Sequence, residues 1–581
     1  MLYPTLSEQV TNRKMVETFR GYNHNIRIGT GEFFDMENMT STHYPVLSPR
    51  EKRGIYASPE NAQGLIAKDS LCYIDGTYFC MNEYRIDMGL STNEEDLPKK
   101  LVSMGAYVII LPDKKYINTA DLTDFGNIEA TFVTNTATSF ELCKLDGSSY
   151  SNMIVSATEP TNPENMDVWL DTSTTPHSLK QFSATSDIWI SVATTYIKIS
   201  SAGIGKAFET YDGVTISGIA DEKLKDLNGT MVIQAKGDDY IVVIGMLDFV
   251  SSQEAAVTVK REMPNMDFIT ESGNRLWGCR YGTASNGEIV NEIYASKLGD
   301  FKNWNCFMGI STDSYAASCG TDGQFTGAIT HLGYPIFFKE TCLHKVYGTQ
   351  PSNFQIQATV CRGVQRGCER SLAIVNEVLY YKARSAVCAY DGSLPTEMST
   401  ALGEESYSEA VAGAHGNKYY ISMKDEHGTF HLFVYDTSKG MWHREDNTRV
   451  RAFCSCRGEM YFIDEHDGKI KTVFGSGTPE EEPVKWMVET GVLGTESPDK
   501  KYISRVTFRM ALEVGTRITV EAQYDSSGAW EHLSSMTGMS LRSFPISVRP
   551  KRCDHLKLRI TGEGGAKIFS YAKTSEQGSD Y

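Results

Sequence analysis

The feature that most constrains the fold is a hairpin written twice. Between Gly327 and Gly392 the chain reads GAITHLGYPIFFKETCLHKVYG, then a polar crossing, then SLAIVNEVLYYKARSAVCAYDG. Ile336, Phe338 and Thr341 to Val346 predict two strands around a turn at Lys339-Glu340. Val378 to Tyr381 and Val387 to Tyr390 predict a second pair around Arg384-Ser385. Short runs of β-branched and aromatic residues between turn formers are the strand signal. A hairpin that recurs along the chain points to a repeat architecture, in which stacked units bury what one unit cannot.

The same unit occurs elsewhere. Asp75-Gly76 separates Leu71–Ile74 from Thr77–Cys80, and Asp-Gly supplies the positive φ angles of a type I′ turn. A similar unit spans Val102 to Ile117 with its turn at Pro112-Asp113-Lys114. Later units begin near Gly273, Ala328, Ser371, Ala412 and Ala452, at the roughly forty- to fifty-residue spacing of propeller blades. The expectation is an all-β chain: a β-propeller of about five to seven blades. The rhythm breaks between Ile128 and Glu262, where strands at Val214–Ile219, Met231–Ala235 and Tyr240–Ile244 predict an inserted small β-barrel or β module. Such insertions are tolerated because closure entropy grows only with the logarithm of loop length. A linker is expected from Ser476 to Pro483. After it, Ile518, Val520 and Ala522, then Leu556, Leu558 and Ile560, alternate with polar residues, the pattern of a β-sandwich with one wet face. The resulting division is residues 1–127 (propeller, first part), 128–262 (insertion), 263–475 (propeller, second part) and 476–581 (sandwich).

Composition narrows the function. A formal net charge of −17 argues against wrapping nucleic acid, which needs clustered Lys and Arg to neutralise phosphates. The longest apolar runs, such as Tyr107–Leu111, fall far short of the ~18–20 residues that span a bilayer. The N-terminal stretch lacks the apolar core of a signal peptide, so the thirteen cysteines, Cys72, Cys80, Cys279 and Cys388 among them, read as reduced core residues.

No phosphate-binding glycine loop, HExxH, GxSxG or CxxC pair stands at working spacing. His415, His427, His431 and His443 precede Cys454 and Cys456, but they fall on different predicted strands without a closed zinc spacing. No metal, cofactor or catalytic residue is therefore expected. Asp391, Asp436, Asp464 and Asp467 are the carboxylates a glycosidase could use, yet each occupies a turn where Asp is expected anyway. The basic group Arg50, Lys52 and Arg53 fits a phosphate or, more simply, a solvated loop. Trp169, Trp189 and Trp530 are candidate glycan-stacking platforms, with core filling as the alternative.

The opening FRGYNHNIRIGTGEFFDMENMTSTHYPVLSPR, followed by NEIYASKLGDFKNW, ITHLGYPIFFKETCLHKVYG and VNEVLYYKARSAVCAYDG, resembles the β-propeller virion proteins of tailed bacteriophages. That group includes packaged-DNA stabilisation and tail-nozzle proteins. The resemblance covers about Phe19 to Lys115 and Asn274 to Phe474. It implies a homo-oligomeric, hexameric ring at the neck, head–tail connector or nozzle, bound to other phage head–tail or tail proteins. DNA would pass through the lumen without sequence-specific contact during genome retention and ejection. It further implies a protein that is not an enzyme, has no cofactor, and resides in the virion after assembly in the bacterial host cytoplasm. The segment EPTNPENMDVWLDTS is similar to small β modules of phage adhesion proteins, some of them carbohydrate-binding. The alternative function is therefore a host-surface glycan-binding adhesin of the tail, and a third is a carbohydrate-active propeller enzyme.

Overall fold

A computed structural model describes residues 11–284, 287–477, 481–495, 500–538, 540–547 and 551–577. The regular structure of the described residues is β strand, apart from short 3-10 turns. It divides into two compact units: residues 1–101, 337–343 and 359–581 form the first, and residues 102–336 and 344–358 the second.

Six four-stranded antiparallel sheets, and a seventh that forms one end of a ten-stranded sheet, have the form of propeller blades. In the first unit the opening blade comprises Ala62–Ala67, Leu71–Asp75, Tyr78–Met81 and Tyr84–Asp87. The turn falls one residue later than the sequence predicts: Asp75 is the last strand residue and pairs with Tyr78, and Gly76-Thr77 form the loop, with positive φ at Gly76 alone (+58). Three more blades run through 373–397, 408–444 and 450–472. The last of these has only three strands of its own, and Gly54–Ala57 from the beginning of the chain pairs with Ile470–Thr472 as the fourth. The borrowed strand covers the edge of Ile470–Thr472 and itself becomes the short outer edge of that blade, short edges being less prone to association.

The second unit holds most of the blade sheets through 100–127 and 325–360 and all of the one through 268–318, together with the insertion. Two sheets of the insertion close over Phe140, Ile197, Ile199, Phe208, Val214, Ile241 and Val259, all buried. The predicted strand Met231–Ala235 is two strands, Gly229–Val232 and Ala235–Gly237. Between them the Ile233 N–H turns away to the carbonyl of Asp212. A third sheet of the insertion packs Leu170 and Leu179 against Leu142.

The N-terminal boundary differs from expectation. Residues 11–49 build no blade. Thr11–Val16 pairs with Ala566–Gln577, and Gly21–Tyr22 lies between Glu32–Glu37 and Trp442 of the blade strand Met441–Arg444. Glu32–Glu37 in turn pairs with Lys485–Thr490. The C-terminal region is thus continuous with the 408–444 blade through one ten-stranded sheet, rather than standing apart as a separate sandwich. Gly21 permits this seam: at φ +82, a Cβ there would sit 2.3 Å from the Trp442 carbonyl oxygen. Part of the expected linker, residues 478–480, lies outside the described residues, and Glu481 beyond it is hydrogen-bonded through its N–H to the Arg53 carbonyl.

Candidate functional site

The insertion's third sheet carries the candidate site. Met153–Ser156 and Val168–Asp171 run parallel, and Ser178–Ser183 and Ile188–Ser191 follow antiparallel. Because successive side chains alternate between faces, Trp169 and its partner Lys180 share one face with Phe182 and its partner Trp189. The Trp169 and Trp189 rings meet edge to face at 5.4 Å, and Phe182 lies 5.3 Å from Trp189. Such aromatic pairs contribute about 0.5–1.5 kcal/mol beyond their buried area. Trp169 is 5% exposed; its indole N–H donates to the Ser156 carbonyl, and the Lys180 ammonium stands 4.6 Å above its ring. Lys180 also donates to Asp171 Oδ2 at 2.8 Å. That bond, with those from Ser173, holds the Asp171 carboxyl down at about 2. The Trp189 indole nitrogen is buried without a partner among the described residues.

The opposite side of the sheet is open. Met166, Ile188 and Ile190 are each more than half exposed. Met166 and Ile190, with Asn165, Gln181, Phe182 and Val192, line a cavity of about 410 Å³. An apolar floor with a few amide groups is the composition of a small-molecule site, in which polar groups set orientation.

The structure brings together two of the three tryptophans singled out in the sequence. Trp530 belongs to the first unit, in the loop just before Glu531–Thr537, with the Arg559 guanidinium 3.9 Å from its ring. The basic group is not a solvated loop: Arg50 and Arg53 are buried, whereas Lys52 is exposed. Arg50 grips Glu481 through both terminal nitrogens at 2.7 and 2.9 Å. Arg53 donates to Glu445 at 2.7 Å and to Asp446 at 2.8 Å. Burial raises the Asp446 carboxyl, but Arg53 and Arg50 outweigh it and hold the group down at about 2.

The histidines and cysteines are dispersed. His415 bonds Ser455, His431 bonds Asp425, His427 is exposed, and His443 is buried. Cys454 and Cys456 join the apolar cluster of Leu71, Ile463 and Ile470. Among the described residues no group of three or more His, Cys, Asp or Glu is arranged to hold a metal. The turn aspartates cap backbone N–H groups two residues on, Asp391 to Ser393, Asp436 to Ser438, Asp464 to His466 and Asp467 to Lys469. This is the Asx-turn role.

No family model matches the chain, and no curated protein matches it. Solved structures similar to it include the exo-β-1,3-galactanase of Phanerochaete chrysosporium with galactose (9% identity, 52% of this chain and 94% of that one, TM-score 0.21). A glycoside hydrolase of the GH43 type, engineered for endo-xylanase and exo-arabinofuranosidase activity, is similar at 8% identity over 53% and 96%, TM-score 0.20. AztD from Citrobacter koseri is similar at 8% identity over 89% and 98%, TM-score 0.25. Two of the three are glycoside hydrolases, so the expectation that this chain is not an enzyme does not stand. At these scores the likeness carries no particular reaction over to this chain.

Proposed function

We propose that this chain is a β-propeller component of a tailed-phage particle, assembled as a ring of copies, whose inserted module binds a glycan of the host surface. The resemblance of its blade segments to phage virion propellers supports the first half of this reading. Its net charge of −17 suits a passage that DNA crosses without adhering, through like-charge repulsion. The observation that carries the second half is the cavity of about 410 Å³ with its apolar floor and the Asn165 and Gln181 carboxamides. Sugar rings present apolar faces and hydroxyl groups, which such a floor and such amides complement.

Affinity electrophoresis of the full chain through host envelope polysaccharide tests the binding. Retardation that Ile190→Asp abolishes is the expected result, and equal mobility of both proteins refutes it. Fragments released from the polysaccharide in the same experiment would assign carbohydrate turnover instead. Mass spectrometry of purified particles tests the location, and absence of the chain from them removes the virion reading.

A further inference from the structure

The C-terminal sheet holds a constellation that no motif search finds. Arg517–Tyr524 and Glu531–Thr537 are joined by a tight turn, closed by the Ser527 N–H donating to the Tyr524 carbonyl at 3.0 Å. At its tip Ser526 is exposed and has a left-handed backbone, φ +51, as does Asp525 before it, φ +49. Ser526 Oγ lies 2.7 Å from His555 Nε2, and His555 Nδ1 lies 3.0 Å from Asp554 Oδ2. We propose that Ser526, His555 and Asp554 form a nucleophilic triad that cleaves carboxylic esters displayed on the outside of larger molecules.

Geometry and roles define such a triad, not chain order. With Nδ1–H donating to Asp554, Nε2 is left as the acceptor for the serine hydroxyl, the tautomer a general base requires. Asp525 positions the pair. Its carboxylate accepts from the N–H of Asp554 at 2.7 Å and of His555 at 3.3 Å, while its own N–H donates to the His555 carbonyl at 3.0 Å. The left-handed serine on a sharp turn is the backbone state that lifts a nucleophile clear of its sheet. The backbone N–H groups of Ser526 and Gly528 donate to nothing among the described residues and so are free to meet a developing oxyanion. Lys501 Nζ stands 3.9 Å from Asp554 Oδ1. To one side, His555, Lys557 and Arg559 alternate along one strand face, and Arg559 covers Trp530. The remainder of a large substrate can lie along this face.

The reaction balances without a cofactor. Ser526 Oγ bonds to the ester carbonyl carbon as its proton passes to His555 Nε2. The carbon–oxygen bond to the alcohol then breaks, and the alcohol leaves with that proton. Water next attacks the acyl-serine and gives a proton to Nε2; the carboxylic acid departs and Ser526 recovers its hydrogen.

Two probes on the full chain test this: a fluorophosphonate, mapped by peptide mass spectrometry, and p-nitrophenyl acetate. The expected result is a single adduct at Ser526. It is absent in Ser526→Gly, a change the left-handed backbone accepts, and forms about a hundredfold more slowly in His555→Gln. Asp554→Asn, at a half-exposed position, should slow ester turnover, with Ser527→Ala unchanged. No adduct, an adduct elsewhere, or a Ser526 adduct whose rate ignores His555→Gln overturns the proposal. None of these outcomes bears on glycan binding by the insertion, so the two readings fail separately.

Discussion

The Arg50–Arg53 cluster and the aromatic sheet of the insertion treat polar groups in opposite ways. In the first, two buried guanidiniums meet three carboxylates, Glu445, Asp446 and Glu481, and join the chain's beginning to a blade turn and to the start of the C-terminal region. In the second, an indole N–H is left unpaired beneath a surface where Met166, Ile188 and Ile190 face water. A buried charge network is tolerable only when its members are satisfied, and it then fixes a unique arrangement. An exposed apolar patch is tolerable only when it is small or has a use. Ion-paired guanidiniums mark the frame, although Arg53 Nε is itself without a partner among the described residues, and exposed apolar side chains mark the surface open to a partner.

The sharpest way to break this contrast is Arg53→Met. It leaves Glu445 and Asp446 buried with only the longer Arg50 contacts, at 3.9 and 3.6 Å, and should lower stability by about 3 kcal/mol, read as a fall in the urea midpoint with glycan retention by the surviving folded protein unchanged. Acid comes next. His443 is buried with Nδ1 unpartnered, and burial, then Lys418, push its imidazole down to about 3. A depressed folded value means that the unfolded chain takes the proton first. Stability is therefore complete above the ordinary value of 6.5 and declines as pH falls toward 3, by about 2 kcal/mol between pH 6.5 and 5. His443→Leu should flatten that decline in urea titrations at successive pH values. The Asp446 contribution, present above the ordinary carboxylate range, should persist in the variant and be lost between about pH 4 and 2. Smaller still, Trp189→Ala removes a half-buried ring. It should cost about 1–2 kcal/mol, confined to the insertion as read by hydrogen exchange, with the Arg53 region unmoved. Ser438→Ala removes one hydroxyl bond to Asp436 and should cost no more than about 1 kcal/mol in thermal unfolding.

What was legible in the sequence is what short segments decide by themselves. The hairpins around Gly76 and Glu340 lie within one residue of where the sequence places them, and the Trp169 and Trp189 strands are present, because turn chemistry and period-two patterning act over a few residues. Arg50 and Arg53 read as surface because their partners, Glu445, Asp446 and Glu481, lie hundreds of positions away. The same distance hid the Gly54–Ala57 strand that completes a blade beginning at Val450. Ser526 and the Asp554-His555 dipeptide were each visible, yet nothing local announces their meeting. Only the pairing of Tyr524 with Leu556 brings turn and dipeptide together.

The strand Thr11–Val16, hydrogen-bonded to Ala566–Gln577, also governs how this molecule reaches its native state. That pairing closes a loop almost as long as the chain, and contacts of such separation form late and slowly. As the chain leaves the ribosome, blades can condense in turn, while Thr11–Val16 waits with its backbone unpaired until Ala566–Gln577 emerges. Newly made protein therefore passes through a stage in which an exposed strand can pair with a neighbouring copy, and the time taken to translate the residues between the two strands sets how long that stage lasts.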